Sequence, residues 1–218
     1  AALFAGQTAE ALALTTGETV RYWHYQPPDH DGPLPLVLFL HGGGESGDDI
    51  ERVKKGGVPA MIEAGHEFPA IVLSPLNPET KGFWDEDRLA RFLDTFIAQN
   101  EVDEDRIYIT GLSRGAYGGW RLALENPDRF AAMVVISGAA PEPYSVWMGN
   151  LPVWVFHGED DKPVPVGESQ RMVAAINRLG GNAKLTVYPG VGHDAWTQTY
   201  ANPAVWEWLF AHRRSDRP

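Results

Sequence analysis

Arg106-Ile-Tyr-Ile-Thr-Gly-Leu-Ser-Arg-Gly-Ala-Tyr-Gly-Gly-Trp120 joins an apolar, β-branched run to a glycine-punctuated turn and the start of a helical pattern. The turn, Gly111-Leu112-Ser113-Arg114-Gly115, has Gly-x-Ser-x-Gly spacing. A serine at the apex of so sharp a strand-to-helix turn sits in strained backbone geometry. Its neighbours two positions either side must therefore lack side-chain bulk. The strain lifts the hydroxyl clear of the sheet and aims the next N–H, that of Arg114, at a developing oxyanion. The bland alternative is a glycine-rich turn without chemistry. The strand before it (Ile107, Tyr108, Ile109) and the helical stretch after it, running to Asn126-Pro127, favour a nucleophile.

Working outward, residues 10–15 and 19–25 flank Thr16-Gly17-Glu18 and predict an opening antiparallel hairpin. Residues 36–40, Leu-Val-Leu-Phe-Leu, are apolar without alternation, as expected of a strand covered on both faces, and run into the loop His41-Gly42-Gly43-Gly44. A short helix is expected over 58–65 and a strand over 70–74. A helix over 86–99 follows from Leu89, Phe92, Leu93, Phe96 and Ile97 at three-and-four spacing, entered through Asp85-Glu86-Asp87. Downstream come strands at 131–137 and 153–156, a helix over 167–179 stopped by Gly180-Gly181, a strand at 185–188 and a closing helix over 203–212 with Pro203 in its first turn. Strands alternating with helices predict an α/β fold: a mostly parallel sheet of about eight strands, helices on both faces, one domain over 1–218.

The 218 residues carry a formal charge of -11, which argues against nucleic acid or an anionic membrane surface as partner. No apolar run approaches the roughly 20 residues that span a bilayer. The chain has no cysteine, so disulfides and thiolate metal sites are excluded while the compartment stays open. It begins Ala-Ala-Leu-Phe-Ala, without Met or a basic segment, which fits either a cleaved leader or a trimmed start.

In open α/β sheets, ligand sites form at the carboxyl ends of strands. Ser113 needs a base, and among seven histidines His193 is best placed, on a glycine-flanked loop after the last strand. His41 and His157 each close a strand before a glycine and read as loop-positioning residues. His24, His30, His66 and His212 have nothing around them that asks for catalysis. The histidine in turn needs an acid. Asp161 follows the penultimate strand in the order Ser, Asp, His; Asp160 is its rival, and Asp194 stands too close in sequence to reach the ring well. A second oxyanion donor is expected from Gly43, with Gly44 as second choice, because residues without side chains let backbone N–H groups approach a carbonyl oxygen. Phosphate binding by this loop is disfavoured by Glu45, Asp48 and Asp49.

With these motifs in order, the chain resembles α/β-hydrolases of the small-esterase type, the polyhydroxybutyrate-depolymerase and feruloyl-esterase-like group and the related "predicted peptidase" esterases. The residues that carry the resemblance are His41-Gly42-Gly43-Gly44, Gly111-Leu112-Ser113-Arg114-Gly115, His157-Gly158-x-x-Asp161 continuing to Val164-Pro165, and Gly192-His193-Asp194. The resemblance implies an α/β-hydrolase fold and selects Asp161 over Asp160. Arg114 departs from the pattern, which more often has Met, Gln or His after the nucleophile, and its charge bears on which acyl groups are accepted.

The expected reaction is hydrolysis of a small-molecule or polysaccharide-linked ester through an acyl-enzyme, with no metal or organic cofactor. The short connection from Gly138 to Leu151 leaves no space for a large lid domain. Of eight tryptophans, Trp120, Trp154, Trp206 and Trp208 are expected in the core, while Trp84, Trp147 and Trp196 are expected on an aromatic rim that suits aromatic acyl groups or sugar rings. A peptidase of the prolyl-oligopeptidase type ranks second, and a non-catalytic binding module third. The oligomeric state is not specified.

Overall fold

A computed structural model describes residues 6–218. Eight strands form one sheet in the order β1-β2-β4-β3-β5-β6-β7-β8. The opening hairpin, β1 (Thr8–Ala13) and β2 (Thr19–Tyr25), is antiparallel and joins the sheet through β4 (Ile71–Pro75). From β4 onward all neighbours are parallel: β3 (Leu34–Leu40), β5 (Val102–Leu112), β6 (Ala132–Ile136), β7 (Val153–Gly158) and β8 (Ala183–Tyr188).

The lack of alternation in β3 has a direct cause. Leu36, Leu38 and Leu40 pack on one face of the sheet, with α2 (Glu86–Gln99), α3 (Arg114–Glu125) and α4 (Gly167–Arg178). Val37 and Phe39 pack on the other, with α1 (Gly57–Glu63), α5 (Trp196–Ala201) and α6 (Pro203–Phe210). Every residue of β3 is buried, so a period-two pattern has no exposed face to report. In α2 the stripe Leu89, Phe92, Leu93 and Phe96 is buried, and Asp85 caps its start by accepting from the Arg88 N–H at 2.9 Å.

One element differs from expectation: helix α5 occupies a stretch expected to be loop. Helix α6 runs from Pro203, its expected start, because Asn202-Pro203 breaks the path after α5 and the Asn202 side chain caps the Ala204 N–H. The connection from β6 to β7 carries only a 3₁₀ helix, Glu142–Trp147, so no lid domain covers the sheet's carboxyl edge among the described residues. No helix among them is long and apolar enough to cross a membrane.

Candidate active site

Ser113 sits between β5 and α3 with φ 52° and ψ -119°, in the left-handed region that a non-glycine residue adopts only under constraint. Its flanking glycines are obligatory. A Cβ on Gly115 would stand 1.9 Å from the Leu40 carbonyl oxygen, and one on Gly111 would stand 2.5 Å from that of Gly115. The strained turn is held from behind, where the Ser113 N–H donates to the Ile136 carbonyl at 2.9 Å.

The side chains named from sequence converge here. Ser113 Oγ is 2.9 Å from His193 Nε2, and His193 Nδ1 is 2.8 Å from Asp161 Oδ2. Asp161 is fully buried at its carboxylate while the imidazole is 25% exposed, so the acid lies behind the base and the base meets the cleft. The rivals fall elsewhere. Asp160 is exposed and contributes its backbone N–H to the Val191 carbonyl. Asp194 accepts from the N–H and hydroxyl of Thr197, starting α5.

Two features that sequence reasoning missed bring His193 into reach. Gly158, at the end of β7, lets the base loop approach its backbone: a Cβ there would lie 2.1 Å from the Gly192 carbonyl oxygen. Ser137, the second non-glycine residue at positive φ (56°), donates its hydroxyl to the His193 carbonyl at 2.8 Å. The only sequence signal for Ser137 was its place at the end of a buried strand.

On the opposite side lies the glycine loop. His41 is buried, and its Nε2 accepts from the Asn77 N–H at 3.0 Å, so the ring hydrogen must sit on Nδ1 and donate to the Gly42 carbonyl at 2.7 Å. That bond fixes the peptide plane between Gly42 and Gly43, and hence the direction of the Gly43 N–H. Burial drives the His41 pKa down to about 4, helped by the nearby cations of Arg114 and Arg52 and opposed by the bond to Gly42. Gly43 leaves no space for a side chain, since its Cβ would stand 2.7 Å from the Arg114 guanidinium carbon; Gly44 has open space, and its carbonyl is held by Arg52 at 2.6 Å. Arg114 lies across the loop and donates to the Thr80 carbonyl at 2.9 Å.

The three rim tryptophans separate. Trp196 stands edge-on to His193, with ring centroids 5.2 Å apart. Trp84 is not on a rim. It is 5% exposed, its Nε1 donates to the His41 carbonyl at 3.2 Å, and its indole fills the slot that Gly118 leaves in α3. Trp147 is exposed, but it stacks on Tyr144 over Arg121, Leu124 and Glu125, at the far end of α3 from Ser113. A second aromatic wall is formed by Phe83 with Tyr117, one turn along α3 from the serine, ring centroids 5.6 Å apart. With Arg121, Ala140, Pro141 and Tyr144 they line a half-open cavity of about 390 Å³. Among the described residues no cluster of three or more His, Asp or Glu has the makings of a metal site.

A strand-to-helix elbow at the carboxyl edge of this sheet order defines an α/β-hydrolase. The chain belongs to the phospholipase/carboxylesterase family, which matches residues 79–202. NocK of Nocardia uniformis subsp. tsuyamanensis, provisionally named an esterase, is 29% identical over 207 residues, covering 78% of this chain and 60% of its own. A solved thermostable esterase superposes with a TM-score of 0.83 at 29% identity, over 96% of this chain and 64% of that one. A feruloyl esterase module from Clostridium thermocellum, complexed with sinapinate, has a TM-score of 0.71 at 15% identity, over 94% and 87%, a likeness of fold alone. The chain thus spans less than two thirds of NocK and of the thermostable esterase. The expectation of an esterase-type hydrolase is borne out at the level of family.

Proposed function

We propose that the chain works as one catalytic domain, a serine carboxylesterase for short-chain or aromatic esters. The observation that carries this reading is the unbroken contact from Ser113 through His193 to the buried Asp161 at a strained elbow. His193 takes the Ser113 proton as Oγ attacks the ester carbonyl, then protonates the departing alcohol, leaving an acyl-enzyme. Water activated by the same ring releases the acid. The backbone N–H groups of Arg114 and Gly43 stabilise the oxyanion, each worth roughly 2.7–4 kcal/mol of barrier in comparable sites. The Asp161 carboxylate holds His193 in the tautomer with hydrogen on Nδ1.

The substrate reading rests on the Phe83–Tyr117–Tyr144 cavity. Two of its polar groups are already engaged: the Tyr117 hydroxyl donates to Glu168 at 2.7 Å and Arg121 pairs with Glu86. Aromatic walls one helical turn along α3 from the nucleophile suit a flat ring better than a flexible long chain. Fluorophosphonate labelling of the wild type but not of Ser113→Ala tests the enzyme, and an intact folded protein that resists labelling counts against it. A panel of methyl ferulate, p-nitrophenyl acetate, a long-chain ester and a peptide amide tests the substrate. Preference for the long chain or the amide overturns the aromatic ester reading.

A further inference from the structure

We propose that His157, backed by Ser169, is a positioning residue that holds Asp161 in register with His193, an inference that rests on Asp161 being the acid of the triad. His157 lies near the end of β7, and its ring is wholly buried. Its Nε2 stands 2.8 Å from the Val164 carbonyl oxygen, which can only accept, so Nε2 carries the hydrogen. Its Nδ1 is 2.7 Å from Ser169 Oγ, and in the neutral ring it takes the hydroxyl hydrogen. Val164 then links this ring to the acid: its carbonyl accepts from His157 while its N–H donates to Asp161 Oδ1 at 2.9 Å. The second carboxylate oxygen, Oδ2, lies 3.1 Å from His157 Nε2 and 2.8 Å from His193 Nδ1.

Asp161 Oδ2 is therefore set between two imidazoles, each in contact with a serine hydroxyl, Ser113 on one side and Ser169 of α4 on the other. A buried carboxylate needs polar neighbours, and the Val164 N–H on Oδ1 together with the His157 ring edge against Oδ2 stops it rotating. Removing the His157 side frees Oδ2 to swing away from His193 Nδ1. Misplacement of a reacting group by about 1 Å costs on the order of a hundredfold in rate. The role is distinct from simple loop support, because it acts on the acid and so on turnover.

The test compares His157→Gln, whose amide nitrogen can stand near the Nε2 position, with His157→Leu, which fills the volume without a donor, and with Ser169→Ala. With thermal melting to verify folding, His157→Leu should lower kcat on p-nitrophenyl acetate by about tenfold to a hundredfold at unchanged KM, while His157→Gln stays within about threefold of wild type. Ser169→Ala should lower kcat by a few-fold in the same manner. Long-range ¹⁵N–¹H spectra of the wild type should show hydrogen on Nε2 of His157 and not on Nδ1. A folded His157→Leu with wild-type kcat, a loss that falls on KM, or an Nδ1–H tautomer overturns the proposal. If His157→Leu does not fold, wild-type kcat in Ser169→Ala overturns it. Asp161→Asn separates the two levels. A wild-type rate there removes the triad assignment itself, whereas a slow Asp161→Asn beside a fast, folded His157→Leu removes only the positioning role.

Discussion

Acid should loosen this protein at His41, in addition to whatever its carboxylates contribute. Burial holds its pKa near 4 in the fold, against 6.5 ordinarily. As pH falls from 6.5 to 4 the unfolded chain takes up a proton at this residue and the folded chain does not. The unfolded state binds more protons across that window, so stability declines as pH declines. At 1.36 kcal/mol per pKa unit, the share due to His41 is about 2 kcal/mol lost between pH 7 and pH 5, and about 3 kcal/mol by pH 4. The cause is local: a protonated Nε2 cannot accept the Asn77 N–H, and the new charge would sit in a buried pocket near Arg114 and Arg52. Urea unfolding followed by tryptophan fluorescence at pH 7, 6, 5 and 4 measures the loss. His41→Asn is the control, since its amide nitrogen can donate to the Gly42 carbonyl but does not titrate. The difference between the two curves isolates His41 from every carboxylate in the chain. Two curves that fall in parallel refute the argument.

Gly158→Ala should lower kcat/KM on p-nitrophenyl acetate by about a hundredfold, because its Cβ would meet the Gly192 carbonyl oxygen at 2.1 Å and push the His193 loop outward; unchanged kinetics would contradict that packing. Ser137→Ala removes the 2.8 Å bond to the His193 carbonyl and should cost about 1 kcal/mol, or about fivefold in kcat, in steady-state assays with the variant still folded. Trp84→Ala should destabilise by about 3–5 kcal/mol in chemical denaturation, as expected for a large buried ring. Trp147→Ala should leave the ratio of aromatic to short-chain ester turnover unchanged, and a selective loss on methyl ferulate would put Trp147 back beside the site.

Strands and the longer helices were legible because their burial is periodic or complete. Leu89 to Ile97 shows a helical stripe, and residues 36–40 show unbroken apolarity. Helix α5 was not legible: Thr197 and Thr199 are β-branched, and its start depends on the Asp194 side chain, a contact rather than a pattern. Ser113, Asp161 and His193 could be named because a strained turn and strand-end loops leave marks in sequence. Trp84 could not be placed, since position on a strand-end loop does not tell which way a ring turns. Gly118 and Gly119 inside α3 were the available signal. Helix-interior glycines cost about 1 kcal/mol each relative to Ala, and the Gly118 position is the slot into which Trp84 packs.

The two His-Gly steps, His41-Gly42 after β3 and His157-Gly158 at the end of β7, look equivalent in sequence yet are forced into opposite tautomers. The Asn77 N–H makes His41 Nε2 an acceptor, so its hydrogen lies on Nδ1 and reaches the Gly42 carbonyl. The Val164 carbonyl makes His157 Nε2 a donor, so its hydrogen lies toward the Asp161 turn. An Asn side chain offers its amide nitrogen near the Nδ1 position and a Gln side chain near the Nε2 position. His41 should therefore tolerate Asn better than Gln, and His157 should tolerate Gln better than Asn. Ranking kcat/KM on p-nitrophenyl acetate for the four variants, each verified as folded, tests this directly. Losing the favoured donor should cost about tenfold at either position, the worth of a hydrogen bond to a charged or strongly polarised group. The same ranking at both positions would mean that these rings only fill space. Opposite rankings would mean that one peptide and one carboxylate, on either side of Ser113, are each aimed by a buried imidazole whose hydrogen the backbone has assigned.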